Sequence, residues 1–154
     1  MAKIELTEVK LRLTKKRFTV SGAIDVDTLT YPDAVAAVAK ALGWHEETQE
    51  VVHVLCVNNG LRVTGFREIA RGKVDSADFA ARDIFQTMFL TNASGFFMVH
   101  NHPSGSARPS TQDIEVTKRL AECAELMGVK FYDHIIVLPN GDHLSMVEEG
   151  YAQL

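Results

Sequence analysis

The 154-residue sequence predicts an α/β fold: a mixed central sheet with flanking helices packed against it. Three observations carry this. Val51–Val57 is a nearly continuous apolar run, as in a strand buried on both faces. Asn58-Asn59-Gly60 directly behind it is a hairpin turn signal. Two stretches with apolar residues at helical spacing, opening at Ser76 and Ser110, each lead into a further apolar strand.

Taken in order, residues 4–13 alternate apolar and polar at their ends and predict a half-exposed strand. A polar run, Thr14–Arg17, interrupts it, and Phe18–Ile24 reads as a second short strand or an arm. Residues 1–25 are therefore treated as an N-terminal extension or strand arm, and 26–154 as the main domain. Pro32 behind Tyr31 starts a helix that runs through an Ala/Val-rich stretch to Leu42 and stops near Gly43. After the Val51–Val57 strand and its turn, Leu61–Ile69 returns antiparallel, with Glu68 near its end. Ser76-Ala77-Asp78 opens a second helix, with Phe79, Ile84, Phe85, Met88 and Phe89 on its apolar side, ending at Asn92–Gly95. Gly95–Val99 is a short strand that delivers His100. Ser110 fits an N-cap with Asp113 three residues on, and Gly128 fits the C-cap. Val129–Leu138 is a strand, Pro139–Asp142 a turn, His143–Met146 a short return strand and Val147–Leu154 a last helical turn.

Composition narrows the function classes. A formal net charge of -4 gives no global basic field for nucleic acid, although Lys15, Lys16 and Arg17 form a local patch. Cys56 and Cys123 are far apart in apolar surroundings and read as reduced core thiols of a cytoplasmic protein. No apolar stretch is long enough for a membrane helix, and the N-terminus has no signal-peptide core.

The chemistry concentrates in residues 100–113. Two histidines at i and i+2 on a strand point to the same side, so His100 and His102 can converge on one ion. The short Pro103–Pro109 loop can fold Asp113, in the first turn of the next helix, back over them. Three N/O ligands suit Zn2+ and leave a fourth position for water, whose proton a carboxylate from elsewhere must take. Glu68 is the candidate, with Glu115 as the fallback. Ser110 is placed to donate toward an oxyanion as well as to cap the helix. His134, beside Asp133, is expected behind the site or in a structural role rather than as a ligand. His45, His53 and His143 are read as surface or core residues, and Trp44 as a core plug.

The pattern Glu68 … His100-x-His102 … Ser110-x-x-Asp113 resembles the JAMM metalloprotease signature. The wording His-Asn-His-Pro-Ser-Gly followed by Pro-Ser-x-x-Asp looks like the RadC branch of the JAB/MPN superfamily. Glu68–Gly72, Asp133–Val137 and Ser145–Gly150 extend the likeness, which covers about residues 28–154. It implies a JAB/MPN (cytidine deaminase-like) sandwich and a zinc-dependent, isopeptidase-like hydrolase of amide, peptide or isopeptide bonds. Its zinc ligands fall on His100, His102 and Asp113, its general base on Glu68 and its polarising serine on Ser110. Only seven residues separate His102 from Ser110, without the insertions that deubiquitinases of this superfamily use to hold ubiquitin. The expected partner is a protein or peptide substrate. An exposed strand edge in residues 1–25 would allow a homodimer. The DNA-repair association of RadC-type proteins supplies the alternative: a non-catalytic or DNA-associated module with a structural zinc. The absence of a Cys-x-x-Cys pair argues against a deaminase.

Overall fold

The computed structural model describes residues 7–10, 12–21, 27–72 and 77–154, the first four residues of the second helix by backbone alone. Helix α1 (Pro32–Ala41) begins on its proline, whose missing N–H costs nothing in the first turn. A 3-10 turn at Trp44–Glu46 leads to β1 (Val51–Val57) and β2 (Val63–Arg71), followed by α2 (Ala77–Leu90) and β3 (Gly95–Asn101). Then come α3 (Thr111–Met127), β4 (Lys130–Val137) and β5 (His143–Ser145).

Among the described residues the sheet has five strands in the order β2-β1-β3-β4-β5. Only β3 and β4 run parallel, because α3 lies between them in sequence; the other neighbours are antiparallel. β1 and β3 are central and buried along their whole length, which explains their unbroken apolar composition. Alternation along them separates two cores. Leu55, Val57, Phe97 and Val99 pack with Ile135, Val137, Trp44 and α1. Val52, Val54, Cys56, Phe96 and Met98 face α2 and α3. Gly95 opens β3 where a side chain would meet the Lys130 carbonyl at 2.7 Å and the Tyr132 ring, so a residue with a Cβ would push β3 off β4.

Several expectations need correction. None of the described residues 7–10 and 12–21 lies in a strand, and nearly all are exposed; the rest of the two expected N-terminal strands falls outside the described residues. β2 begins at Val63 rather than Leu61. The Asn58 side-chain carbonyl accepts from the Gly60 and Arg62 amides and Leu61 takes a positive φ of 56°, so the turn is longer than two residues. The same strand runs on to Arg71. Phe89 is exposed rather than on the buried side of α2. The segment after β5 forms turns, not a helix. It is tied down by buried Asp133, which accepts from Ser145 Oγ and the His134 and Val147 amides. Both cysteines are free; Cys56 is buried and Cys123 only half-buried. No described helix is long and apolar enough to cross a membrane.

Candidate metal centre

The site is assembled from the end of β3, the start of α3 and the segment entering β1. Strand periodicity puts Met98, His100 and His102 on the α3 face. The His102 amide bonds to the Val137 carbonyl at 3.0 Å, extending the parallel ladder one step past the strand. Both rings are buried. Behind them the loop doubles back: the Gly105 amide bonds the His102 carbonyl, with Gly105 at φ 77°, and the Ser106 carbonyl receives His102 Nδ1 at 2.7 Å. A carbonyl only accepts, so His102 carries a proton on Nδ1, and in the neutral ring its Nε2 is the lone pair.

α3 starts with a reciprocal capping box. Ser110 Oγ accepts from the Asp113 amide at 3.0 Å, and Asp113 Oδ2 accepts from the Ser110 amide and hydroxyl, each at 2.7 Å. That box turns the Asp113 carboxylate toward the histidines. Its Oδ1 lies 3.3 Å from His100 Nε2, its Oδ2 lies 3.4 Å from His102 Nε2, and the two Nε2 atoms are 2.8 Å apart. One ligand atom from each of the three residues lies within 4.8 Å of the others. A tetrahedral ion with ligands at about 2.0–2.1 Å holds them about 3.3 Å apart, and each histidine already lies near that distance from one or the other Asp113 oxygen. The shorter nitrogen pair would have to open.

Electrostatics agree with a cation-seeking cluster. Burial depresses His100 to about 4, against the pull of Asp113. Burial also opposes charge on His102, but Asp113 and the Ser106 carbonyl raise it above its ordinary value. Burial would raise Asp113; the bonds from His102 and Ser110 hold it well below the carboxylate range.

The cavity over the cluster has a volume of about 250 Å³, and the carboxylate at its wall is Glu50, not Glu68. Val52 pairs with His100 in antiparallel register, so continuing one pair past Val51 and Asn101 sets Glu50 opposite His102 on the same face. Its charge helps raise His102. Glu68 pairs with His53, which pairs with Val99 on the α1 face. There its carboxylate meets Arg71 at 3.0 and 2.8 Å, and that hydrogen bond lowers its pKa. The structure therefore brings His100, His102, Asp113 and Ser110 together and leaves Glu68 on the other side of the sheet. Ser110 is present but engaged; a donor role toward an oxyanion requires it to release Asp113.

Two residues the sequence reading did not assign to the site matter to its geometry. Asn101, buried between the two histidines, accepts from the Val51 amide at 2.7 Å and donates to the Glu47 and Gln49 carbonyls at 3.0 and 2.9 Å. It thus fastens the segment that carries Glu50. Thr117, one turn after Asp113, bonds His134, which lies behind His100. Glu115 does not line the cavity.

A mixed sheet covered by helices on both faces, with His-x-His at the end of its central strand and Ser-x-x-Asp opening the next helix, defines a JAB/MPN-type domain. The RadC-like JAB domain family model matches residues 29–151, and the chain belongs to that family. It is 41% identical over 102 residues to a UPF0758 protein of Thermotoga maritima, covering 66% of this chain and 46% of that one. It is 40% identical over 106 residues to UPF0758 protein YsxA of Bacillus subtilis, covering 68% and 45%. A UPF0758 protein of Pseudomonas fluorescens is 35% identical over 150 residues, 97% of this chain and 66% of that one. The chain spans about half the length of most of the curated relatives it matches.

Proposed function

We propose that this domain is a zinc-dependent hydrolase that cleaves an amide, peptide or isopeptide bond in a protein or peptide substrate. The observation that carries the reading is the convergence of ligand atoms: one from each of His100, His102 and Asp113 lies within 4.8 Å of the others. Acceptors held together in a buried site call for a cation between them. Held by His100, His102 and Asp113, zinc would supply positive charge for the scissile carbonyl and lower the pKa of a water to about 7.

The remaining work belongs to the chain. Glu50, on the cavity wall, takes a proton from the water and returns it to the leaving nitrogen, so that water is added across the C–N bond. Ser110 aims Asp113, and the Ser106 carbonyl sets the proton of His102. Asn101 holds the Glu50 segment at its distance.

The test combines metal analysis with a comparison of cleaved peptides when a proteome is treated with wild-type protein or with Glu50→Gln. One zinc per chain in both proteins, with products only from the wild type, is the expected result. Identical product profiles would move the reading to the DNA-associated module, whose mark would be a steep salt dependence of DNA affinity.

A further inference from the structure

We infer that Thr117 and His134 are positioning residues for His100: they hold its ring in the Nδ1–H tautomer and aim the Nε2 lone pair into the cluster. This rests on the reading of that cluster as a zinc site.

One group in the chain of bonds has no choice of role. The Asp113 backbone carbonyl can only accept, and Thr117 Oγ1 lies 2.6 Å from it, so the hydroxyl proton is spent there. Thr117 Oγ1 is also 2.6 Å from His134 Nδ1 and must accept, which places the His134 proton on Nδ1. His134 has no solvent exposure, and its ring is bonded to a hydroxyl and an imidazole rather than to a carboxylate, so it carries one proton and Nε2 is bare. With its one proton on Nδ1, the His134 ring presents a bare Nε2 at 2.6 Å from His100 Nδ1, which must then donate. His100 Nε2 is left as the lone pair, 3.3 Å from Asp113 Oδ1.

Three elements meet in this chain. Asp113 and Thr117 are one turn apart on α3, His134 lies on β4, and His100 lies on β3, where His134 pairs with its neighbour Met98. The same helix therefore offers one ligand through the Asp113 side chain and sets the tautomer of another through the Asp113 carbonyl. The opposite tautomer of His100 would point an N–H at the site and exclude a metal from that nitrogen. The Ser106 carbonyl does the corresponding work for His102 directly.

The experiment uses the full chain. Imidazole ¹⁵N spectra of the metal-free protein should assign the protonated nitrogen of His100 to Nδ1. Zinc affinity is then measured by chelator competition for the wild type, His134→Phe, His134→Gln, Thr117→Val and Thr117→Ser, with thermal unfolding of each metal-free protein as the folding check. Gln offers an acceptor near the position of Nε2. Losing the acceptor in His134→Phe should weaken zinc by about 10–100-fold, while Gln and Ser should restore most of the affinity lost in Phe and Val. Thr117→Val should also broaden or split the His100 tautomer signal. If His134→Phe does not fold, the Thr117 pair and the wild-type spectrum decide. An Nε2–H tautomer in the wild type overturns the inference, as does a folded His134→Phe that binds zinc as tightly as the wild type. A wild type that binds no zinc overturns the zinc reading instead, and its His100 tautomer still tests the role of Thr117 and His134.

Discussion

The two faces of the sheet near β1 carry similar residues arranged to opposite ends. On the α3 face, His100, His102, Asp113 and Glu50 surround a cavity that Arg108 also lines. On the α1 face, His53, Glu47 and Glu68 gather around Arg71. Its guanidinium spans both carboxylates, with bonds of 2.7 and 3.0 Å to Glu47 and 3.0 and 2.8 Å to Glu68. His53 is stacked flat on Trp44, with ring centroids 4.0 Å apart. Both groups place imidazole beside carboxylate. In one, Arg71 bridges the two carboxylates; in the other, ligand atoms of His100, His102 and Asp113 converge within 4.8 Å of one another. Residue type alone does not separate the two. The presence of Arg71 and the face of the strand do.

The largest effect should come from removing the charge that makes the α3-face cluster selective. Asp113→Ala takes away a ligand and the capping partner of Ser110, so zinc affinity should fall by on the order of 100-fold or more and cleavage should vanish. Undiminished zinc by metal analysis would show that the histidines bind without it. Next in size is the pair Glu50→Gln and Glu68→Gln. If the α3 face is the reactive one, Glu50→Gln should keep its zinc and lower turnover by about 10²–10⁴, while Glu68→Gln turns over like the wild type. The reverse ranking would return the base to the α1 face.

That pair also marks the limit of what could be read in the sequence. The five strands of the sheet, the caps of α3 and the His-x-His … Ser-x-x-Asp cluster were legible because each is a local pattern, and the observed capping box at Ser110 follows the predicted spacing. The proposed base, Glu50, was not legible, because its placement depends on which strands are neighbours. Val51–Val57 and Gly95–Val99 were both recognisable as strands, but nothing local says that they pair antiparallel with Val52 opposite His100. Given that pairing, Glu50 two residues before Val52 becomes the evident carboxylate. Glu68 lies on the α1 face because the register slips between Val52 and His53, which skips Ile69 and pairs Glu68 with His53. Thr117 escaped for a similar reason: its partner His134 is 17 residues away on another element.

The α1-face cluster has its own pH signature. Burial, reinforced by the charge of Arg71 and opposed by Glu68 and Glu47, depresses His53 to about 4. The unfolded chain binds that proton near 6.5 and the folded chain only near 4, so the unfolded state holds more protons in between. Stability is therefore fully present above about 6.5 and falls as the pH drops toward 4, by on the order of 3 kcal/mol for this group. His53→Phe, which keeps a ring over Trp44, should flatten that part of the stability–pH curve in denaturant titrations. A curve with unchanged slope would mean that His53 does not titrate on unfolding as its burial requires.

The smallest predicted effect tests the link between the faces. Asn101 donates to the carbonyl of Glu47, whose side chain belongs to the α1-face cluster, and its carbonyl receives the amide of Val51, next to Glu50 of the α3-face one. A single buried amide thus ties both carboxylate-bearing segments to the strand that carries the histidines. Asn101→Ala leaves the Val51 amide and two carbonyls without this partner, which should cost about 1–3 kcal/mol of stability. Zinc binding should persist, because neither histidine nor Asp113 depends on Asn101. Turnover should fall by about tenfold, because Glu50 would no longer be held at a fixed distance from the site. Asn101→Asp keeps the acceptor for Val51 but cannot donate to Glu47 or Gln49. If it matches Ala in turnover, the donor bonds place Glu50; if it matches the wild type, the Val51 bond alone does. A loss of zinc in either variant would mean that Asn101 orders the histidines themselves, and the two faces would then be coupled through β3 rather than through the segment entering β1.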